Sequence, residues 1–444
     1  MVQGRGQDPR HRRARLSLSA SRRVVALGAL LWAVGWGAAP SSRAEPDSGR
    51  LERDVEAYLK GTVVERRAIA EEVSTYASPD EVLEAVEAHH ARRPKRRAGL
   101  QKRTIRVGST EAPYIVVAPR GYDPDRAWPV HISLHGGGRA ARYNERTCWN
   151  HDWRRRAPTD TLLVCPTTPG GTWWTPQGEA MAMAVYREVI DEWRVDGDRV
   201  SIGGMSNGGT GAWHLTMKYP WLWSGVVPRC AGEIRDDRYV ENIAKLPVYM
   251  IHGDRDRLIP VEASLAMKER LQRVGNEPRL TIHKGGAHRF FSKENRQVSA
   301  WLRGLRRKQP LSITYQALPD SDQNPPGLAY WIHAPGARKI RAQWSQGAQG
   351  PRLDLTGEDL PAELLVYVPP SLVAVGRPLE VRFKERAVHG PKMIPSTAHA
   401  LESYRLSRDP QRTYTVGVRV TLPRPVEATQ SEGATSGSET QRTP

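Results

Sequence analysis

Cysteine is scarce in this 444-residue chain: there are three, Cys148, Cys165 and Cys230. They allow at most one intrachain disulfide, the sequence does not select the pair, and their spacing is not that of a metal-ligand set. No metal and no cofactor are expected. The apolar stretch 24–36 is too short for a comfortable membrane span. Internal repeats are missing, as are a recognition helix, a zinc finger and an aromatic RNA-binding signature. The formal charge of +18 therefore does not by itself point to nucleic acid.

Much of that charge is local. Arg5, Arg10, Arg12, Arg13, Arg15, Arg22 and Arg23 precede the apolar stretch, and a small-residue region ending Ser42-Arg43-Ala44 follows it. A basic start, a short apolar run and a small-x-small signal describe a secretory signal peptide over residues 1–44. Arg22-Arg23 loosely resembles a twin-arginine signal. Cleavage near Ala44 would leave an exported protein, periplasmic or extracellular, without a stable membrane span; an uncleaved anchor is the alternative. The one dense basic run of the mature part, Arg92-Arg93-Pro94-Lys95-Arg96-Arg97, reads as a solvated linker rather than a nucleic-acid patch.

Beyond the signal the chain divides by pattern. Residues 45–99 read as helical, in two segments separated near Ser78-Pro79, where Ser78 and Glu81 form a capping box and Pro79 suits the first helical position. Over 100–308, short apolar runs at 114–118, 130–134, 161–165, 200–203, 224–227, 248–252 and 280–283 alternate with helical stripes at 178–194, 261–274 and 294–307. Strands alternating with helices predict a mostly parallel sheet covered on both faces. Its strands present their carboxyl ends as the binding edge. Residues 311–423 carry short β-rich runs, clearest at 364–368 and 413–420, with frequent Pro and Gly and no long helical stripe; they predict a small all-β domain. Residues 425–444 are polar and read as disordered.

The chemistry-bearing motif is Gly204-Met205-Ser206-Asn207-Gly208, directly after a strand-like run and before a helix-like one. A serine on such a turn needs small neighbours, because a side chain there would collide with the flanking strand or helix. The pattern is weak alone; its context carries it. Ser206 as nucleophile needs oxyanion donors. His135-Gly136-Gly137-Gly138 follows the strand 130–134, so the N–H groups of Gly136 and Gly137, with that of Asn207 at the start of the helix, are the candidates. A phosphate cradle is the competing reading of that loop, but the Gly-Lys-Ser/Thr it needs does not follow. An orienting carboxylate is expected after strand 248–252, where Asp254 and Asp256 compete. Asp256 is preferred because Arg257-Leu258-Ile259-Pro260 then leads into a helix, while Asp254 suits the tight turn. The base is expected to be His288, in the loop Gly285-Gly286-Ala287-His288-Arg289-Phe290. His283, His252 and His214 read as packed or strand-end residues.

The order Ser206, Asp256, His288, each in its strand context, resembles the α/β-hydrolases. The resemblance covers roughly residues 100–307 and rests on residues 196–209, the loop 135–138, His252-Gly253-Asp254-Arg255-Asp256 and Gly286-Ala287-His288. Within that superfamily the chain is similar to secreted esterases of the polyhydroxybutyrate depolymerase and feruloyl-esterase type, and to prolyl-oligopeptidase-like catalytic domains. The resemblance implies an α/β fold and two-step acyl transfer, in which His288 deprotonates Ser206, Asp256 holds the imidazole, and water cleaves the acyl-enzyme. The β-rich region resembles accessory domains appended to such hydrolases.

Specificity is less legible. The chain has 14 tryptophans. Trp173 and Trp174 stand in a Pro/Gly-rich loop at the binding edge and are candidates to stack on a sugar or aryl group of a small-molecule or polymeric ester. Trp149, Trp153, Trp221 and Trp223 also lie in this region. Trp193, Trp213 and Trp301 read as core. Arg142, Arg146 and Arg154 to Arg156 could bind a carboxylate or be solvated. Peptidase activity is the second functional reading, and a non-catalytic binding protein working through the β domain the third.

Overall fold

The computed structural model describes residues 48–92, 96–137, 159–168, 171–234, 236–318, 327–347, 350–388 and 390–423. The expected signal and tail, Trp149, Trp153, Arg142, Arg146, Arg154 to Arg156, Gly138 and Cys148 lie outside them.

Three helices come first, α1 (Ser48–Lys60), α2 (Val63–Tyr76) and α3 (Pro79–Ala91). The sequence predicted two. Both breaks carry the same device: Thr62 with Glu65 and Ser78 with Glu81 each form a capping box that satisfies orphan backbone N–H groups. The break at Gly61-Thr62 was hidden because it lies inside an otherwise continuous polar helical pattern.

The eight strands that follow are β1 (Gly99–Val107), β2 (Thr110–Ala118), β3 (Trp128–Leu134), β4 (Leu162–Cys165), β5 (Val195–Met205), β6 (Gly225–Arg229), β7 (Tyr249–Gly253) and β8 (Arg279–His283). They form one sheet in the order β1-β2-β4-β3-β5-β6-β7-β8. Strand β2 runs antiparallel to β1 and β4, and the remaining pairs are parallel. Helices α4 (Pro176–Glu192), α5 (Asn207–Lys218), α6 (Asp237–Val240), α7 (Glu262–Arg273) and α8 (Asn295–Arg303) are interleaved with the strands. Every residue of β3 is buried, as a strand covered on both faces requires. This is an α/β-hydrolase-like sheet. Strand β1 went unread because it is a half-exposed edge carrying Lys102, Arg103 and Arg106. Only its hairpin pairing with β2, closed by Gly108 at φ +58°, makes it a strand.

Residues 312–421 add a four-stranded and a five-stranded sheet. The region is β-rich as expected but not all-β. Helix α9 (Thr397–Ser407) packs Ala400, Leu401 and Tyr404 among Leu51, Val55, Val73, Val82 and Val86 of the N-terminal helices. The strand expected at 413–420 begins only at Gly417 and runs to Thr421, because residues 410–412 form a 3-10 turn capped by Asp409. Trp331, Trp344, Val366 and Val418 of this region share one hydrophobic core with Trp213, Trp223 and Val226. Among the described residues no helix is long and apolar enough to cross a membrane.

Candidate active site

Ser206 sits between the end of β5 and the start of α5, with φ 56° and ψ −121°. A non-glycine residue in this region costs on the order of 1–3 kcal/mol, and the surroundings must impose it. They do so through close backbone approach. A Cβ on Gly208 would lie 2.2 Å from the Leu134 carbonyl oxygen, and one on Gly204 would lie 2.5 Å from the Gly208 carbonyl. The Ser206 N–H donates to the Arg229 carbonyl at 2.8 Å, and the Ser206 carbonyl accepts from Thr210 N at 2.9 Å, the first helical bond of α5. The two glycines of the sequence motif thus admit the backbone that projects Ser206 from the carboxyl edge of the sheet.

The loop after β3 lies against this turn. A Cβ on Gly136 would approach the Met205 carbonyl oxygen to 2.9 Å and Ser206 Cβ to 3.3 Å, and Gly137 adopts φ +85°. Three side chains hold the loop. Asn207 Nδ2 donates to the Gly137 carbonyl at 2.6 Å. Trp173 Nε1 donates to the His135 carbonyl at 2.9 Å. The His135 imidazole bonds the Gly136 carbonyl through Nδ1 at 2.9 Å and accepts from Thr168 N through Nε2 at 3.3 Å. Burial pushes the His135 pKa down, which keeps the ring in the neutral state that this donor–acceptor pattern requires.

Asp256 and His288 meet on the same edge, after β7 and β8. His288 Nδ1 lies 2.6 Å from Asp256 Oδ2. Asp256 Oδ1 accepts from Leu258 N at 2.9 Å and Ile259 N at 3.0 Å. Desolvation pushes this carboxyl up, but the bonds from Ile259, His288 and Leu258 outweigh it and hold it below its ordinary range. The turn-satisfying role expected of Asp254 is therefore filled by Asp256 itself, and Asp254 is exposed. His252 is fully buried, bonded to Ser264 Oγ at 2.7 Å and the Ile259 carbonyl at 2.9 Å. His283 stacks on Phe291, with centroids 4.2 Å apart, and His214 bonds Glu179 at 2.8 Å.

Cys230 was missed by sequence reading, since no motif marks it. Its ligand atom lies within 4.8 Å of those of Asp256 and His288. A metal would need the Asp256–His288 pair opened beyond its hydrogen-bond distance. It would also need a thiolate, whereas burial pushes the Cys230 pKa up to about 12. The trio therefore fits a hydrogen-bonded cluster better than a metal centre. Cys165 is disulfide-bonded and Cys230 is free.

One expected substrate contact is corrected. Trp173 is 0 % exposed and packs on His135, with ring centroids 5.0 Å apart; it braces the glycine loop and is not available to stack on a ligand. Gly211 makes room for it, since a Cβ there would fall 2.2 Å from Trp173 Cβ. Trp174 is 42 % exposed. Trp193, Trp213, Trp221 and Trp223 are buried, and Trp301 packs edge-on against Tyr249.

Residues 177–305 match the family model described as phospholipase/carboxylesterase. A curated relative, the probable dipeptidyl-peptidase 5 of Emericella nidulans, is 24 % identical over 272 residues, which cover 48 % of this chain and 37 % of that protein. The chain thus spans little more than a third of that relative's length. Among solved structures, a thermostable esterase is similar at 24 % identity and TM-score 0.41, over 47 % of this chain and 63 % of that one. An acylaminoacyl peptidase in complex with a chloromethyl ketone is similar at 16 % identity and TM-score 0.40, over 48 % and 42 %. The match to the phospholipase/carboxylesterase family model thus covers the part of the α/β-hydrolase-like sheet that carries Ser206, Asp256 and His288.

Proposed function

We propose that this chain is an exported serine hydrolase that cleaves carboxylic esters through an acyl-enzyme on Ser206. The observation that carries the reading is a serine held at positive φ beyond β5, on the edge where Asp256 and His288 are hydrogen-bonded. With Nδ1–H committed to Asp256, the other ring nitrogen of His288 is the basic one. It takes the proton of Ser206 as Oγ attacks the ester carbonyl carbon. The carbonyl electron pair moves onto oxygen, which the N–H groups of Asn207 and of Gly136 or Gly137 stabilise. Collapse expels the alcohol, which receives the proton from His288, and water repeats the sequence to release the acid. The disulfide at Cys165 supports export to an oxidising compartment.

Peptide hydrolysis is the second reading, favoured by the curated relative's name. A panel of p-nitrophenyl acyl esters and peptide anilides separates the two. Ester turnover is expected to exceed amide turnover, and Ser206→Ala should lower it by roughly three orders of magnitude or more. Ester hydrolysis by Ser206→Ala within tenfold of wild type would exclude this nucleophile.

A further inference from the structure

The dipeptide Arg229-Cys230, at the end of β6, touches all three segments that carry the candidate catalytic groups. Its backbone serves two: the Arg229 carbonyl accepts from Ser206 N at 2.8 Å, and Cys230 N donates to the Ile251 carbonyl at 2.9 Å, on the strand that leads to Asp256. Its side chains serve the third. Arg229 Nη1 donates to the Phe290 carbonyl at 3.0 Å and the Phe291 carbonyl at 3.4 Å, and Cys230 Sγ donates to the Arg289 carbonyl at 3.3 Å. The three consecutive carbonyls after His288 are thus all received by two adjacent residues. Arg229 Nη2 also donates to Asn295 Oδ1 at 2.9 Å, and its guanidinium lies 4.3 Å from the Phe290 ring centroid.

This is an expensive arrangement for mere packing. The arginine is almost fully buried, its charge is favoured by the Glu294 carboxylate, its hydrogen bonds described above go to carbonyl and amide oxygens, and Cys230 takes φ 43°. Phe291, the last of the three carbonyl residues, is also left-handed, at φ 53°. A loop with such a backbone does not hold itself, and a displacement of His288 by 1 Å is enough to cost about 100-fold in rate.

We propose that Arg229, with Cys230, is a positioning pair that fixes the His288 loop against Ser206 and Asp256. The role rests on the serine-hydrolase reading. It acts through His288 and not on substrate, so its signature is a change in kcat at constant KM.

The test is steady-state ester hydrolysis by the full chain, with folding followed by near-UV circular dichroism. Wild type is measured first: no hydrolysis would overturn the serine-hydrolase reading and the positioning role with it. In an active protein, Arg229→Ala is expected to lose about 10- to 100-fold in kcat with KM within about twofold. Tens of millimolar guanidinium should restore several-fold of that loss without accelerating wild type, and Arg229→Lys should be intermediate. A folded Arg229→Ala with kcat within about threefold of wild type, or a loss that guanidinium does not restore, would overturn the proposal while leaving the serine-hydrolase reading intact. Should Arg229→Ala fail to fold, Cys230→Ala removes the thiol's bond to the Arg289 carbonyl together with its contact to Asp256. It is expected to lower kcat several-fold at constant KM, and an unchanged kcat would overturn the proposal.

Discussion

At the scale of single residues, the candidate site depends on which side chains are absent as much as on which are present. Gly204, Gly136 and Gly208 let three backbone segments converge to distances that a Cβ forbids, and the strain at Ser206 is what that convergence produces. The motif Gly-x-Ser-x-Gly made this legible. What it could not show is the division between Trp173 and Trp174, adjacent in sequence and opposite in burial, because burial depends on the notch at Gly211 in the later helix α5. The two make a paired prediction. Trp173→Ala should cost about 3–5 kcal/mol of stability, the range for a buried tryptophan. Trp174→Ala should change stability by about 0.5 kcal/mol or less and raise KM for aryl esters several-fold. Urea unfolding and Michaelis kinetics check both halves; a Trp174→Ala enzyme with unaltered KM for every aryl ester would remove it from the substrate site.

At the scale of elements, six of the seven strands read over residues 100–308 are short apolar runs buried on both faces, as β3 is throughout, while β8 is a half-exposed edge. Strand β1, which escaped, is an edge whose alternation is diluted by charge. His131 shows what a buried parallel strand does with a polar residue. It pairs in register with Ser201 of β5 and bonds its hydroxyl at 2.9 Å. Burial, with a smaller contribution from the charge of Arg229, pushes its pKa down to about 3. The folded state therefore binds fewer protons than the unfolded one between pH 6.5 and 3, and stability is lost as pH falls through that window. The slope for one such group is up to about 1.4 kcal/mol per pH unit. Urea midpoints of wild type should fall more steeply from pH 7 to 5 than those of His131→Gln. Parallel slopes would mean that His131 is protonated in the fold.

At the scale of the whole molecule, the region after residue 311 is joined to the hydrolase sheet by side chains that sequence separation conceals. Trp221 meets Tyr315 and Tyr330, with centroids 5.5 and 5.8 Å apart. Asn242 and Gln316 exchange amide and backbone bonds at 2.8 and 2.7 Å. Arg307 is buried between Asp198, at 3.3 Å, and Asp409. None of these pairs has a local signature, so a pattern change at residue 308 reads as a boundary even though one core runs across it. A chain ended at residue 308 would expose Trp221 and Leu222, each worth about 1.5–3 kcal/mol of burial, and leave Arg307 without Asp409. It is expected to melt at least 10 °C lower than the intact chain or to aggregate, as differential scanning calorimetry would show; an equal melting temperature would refute the shared core.

The central claim is that Ser206 is a nucleophile activated by His288. Titration with a fluorophosphonate, followed by peptide mass spectrometry, tests it most directly. The account predicts one adduct per chain, on Ser206, formed at least 100-fold more slowly in His288→Ala. No adduct, an adduct on another residue, or equal labelling of His288→Ala would contradict it.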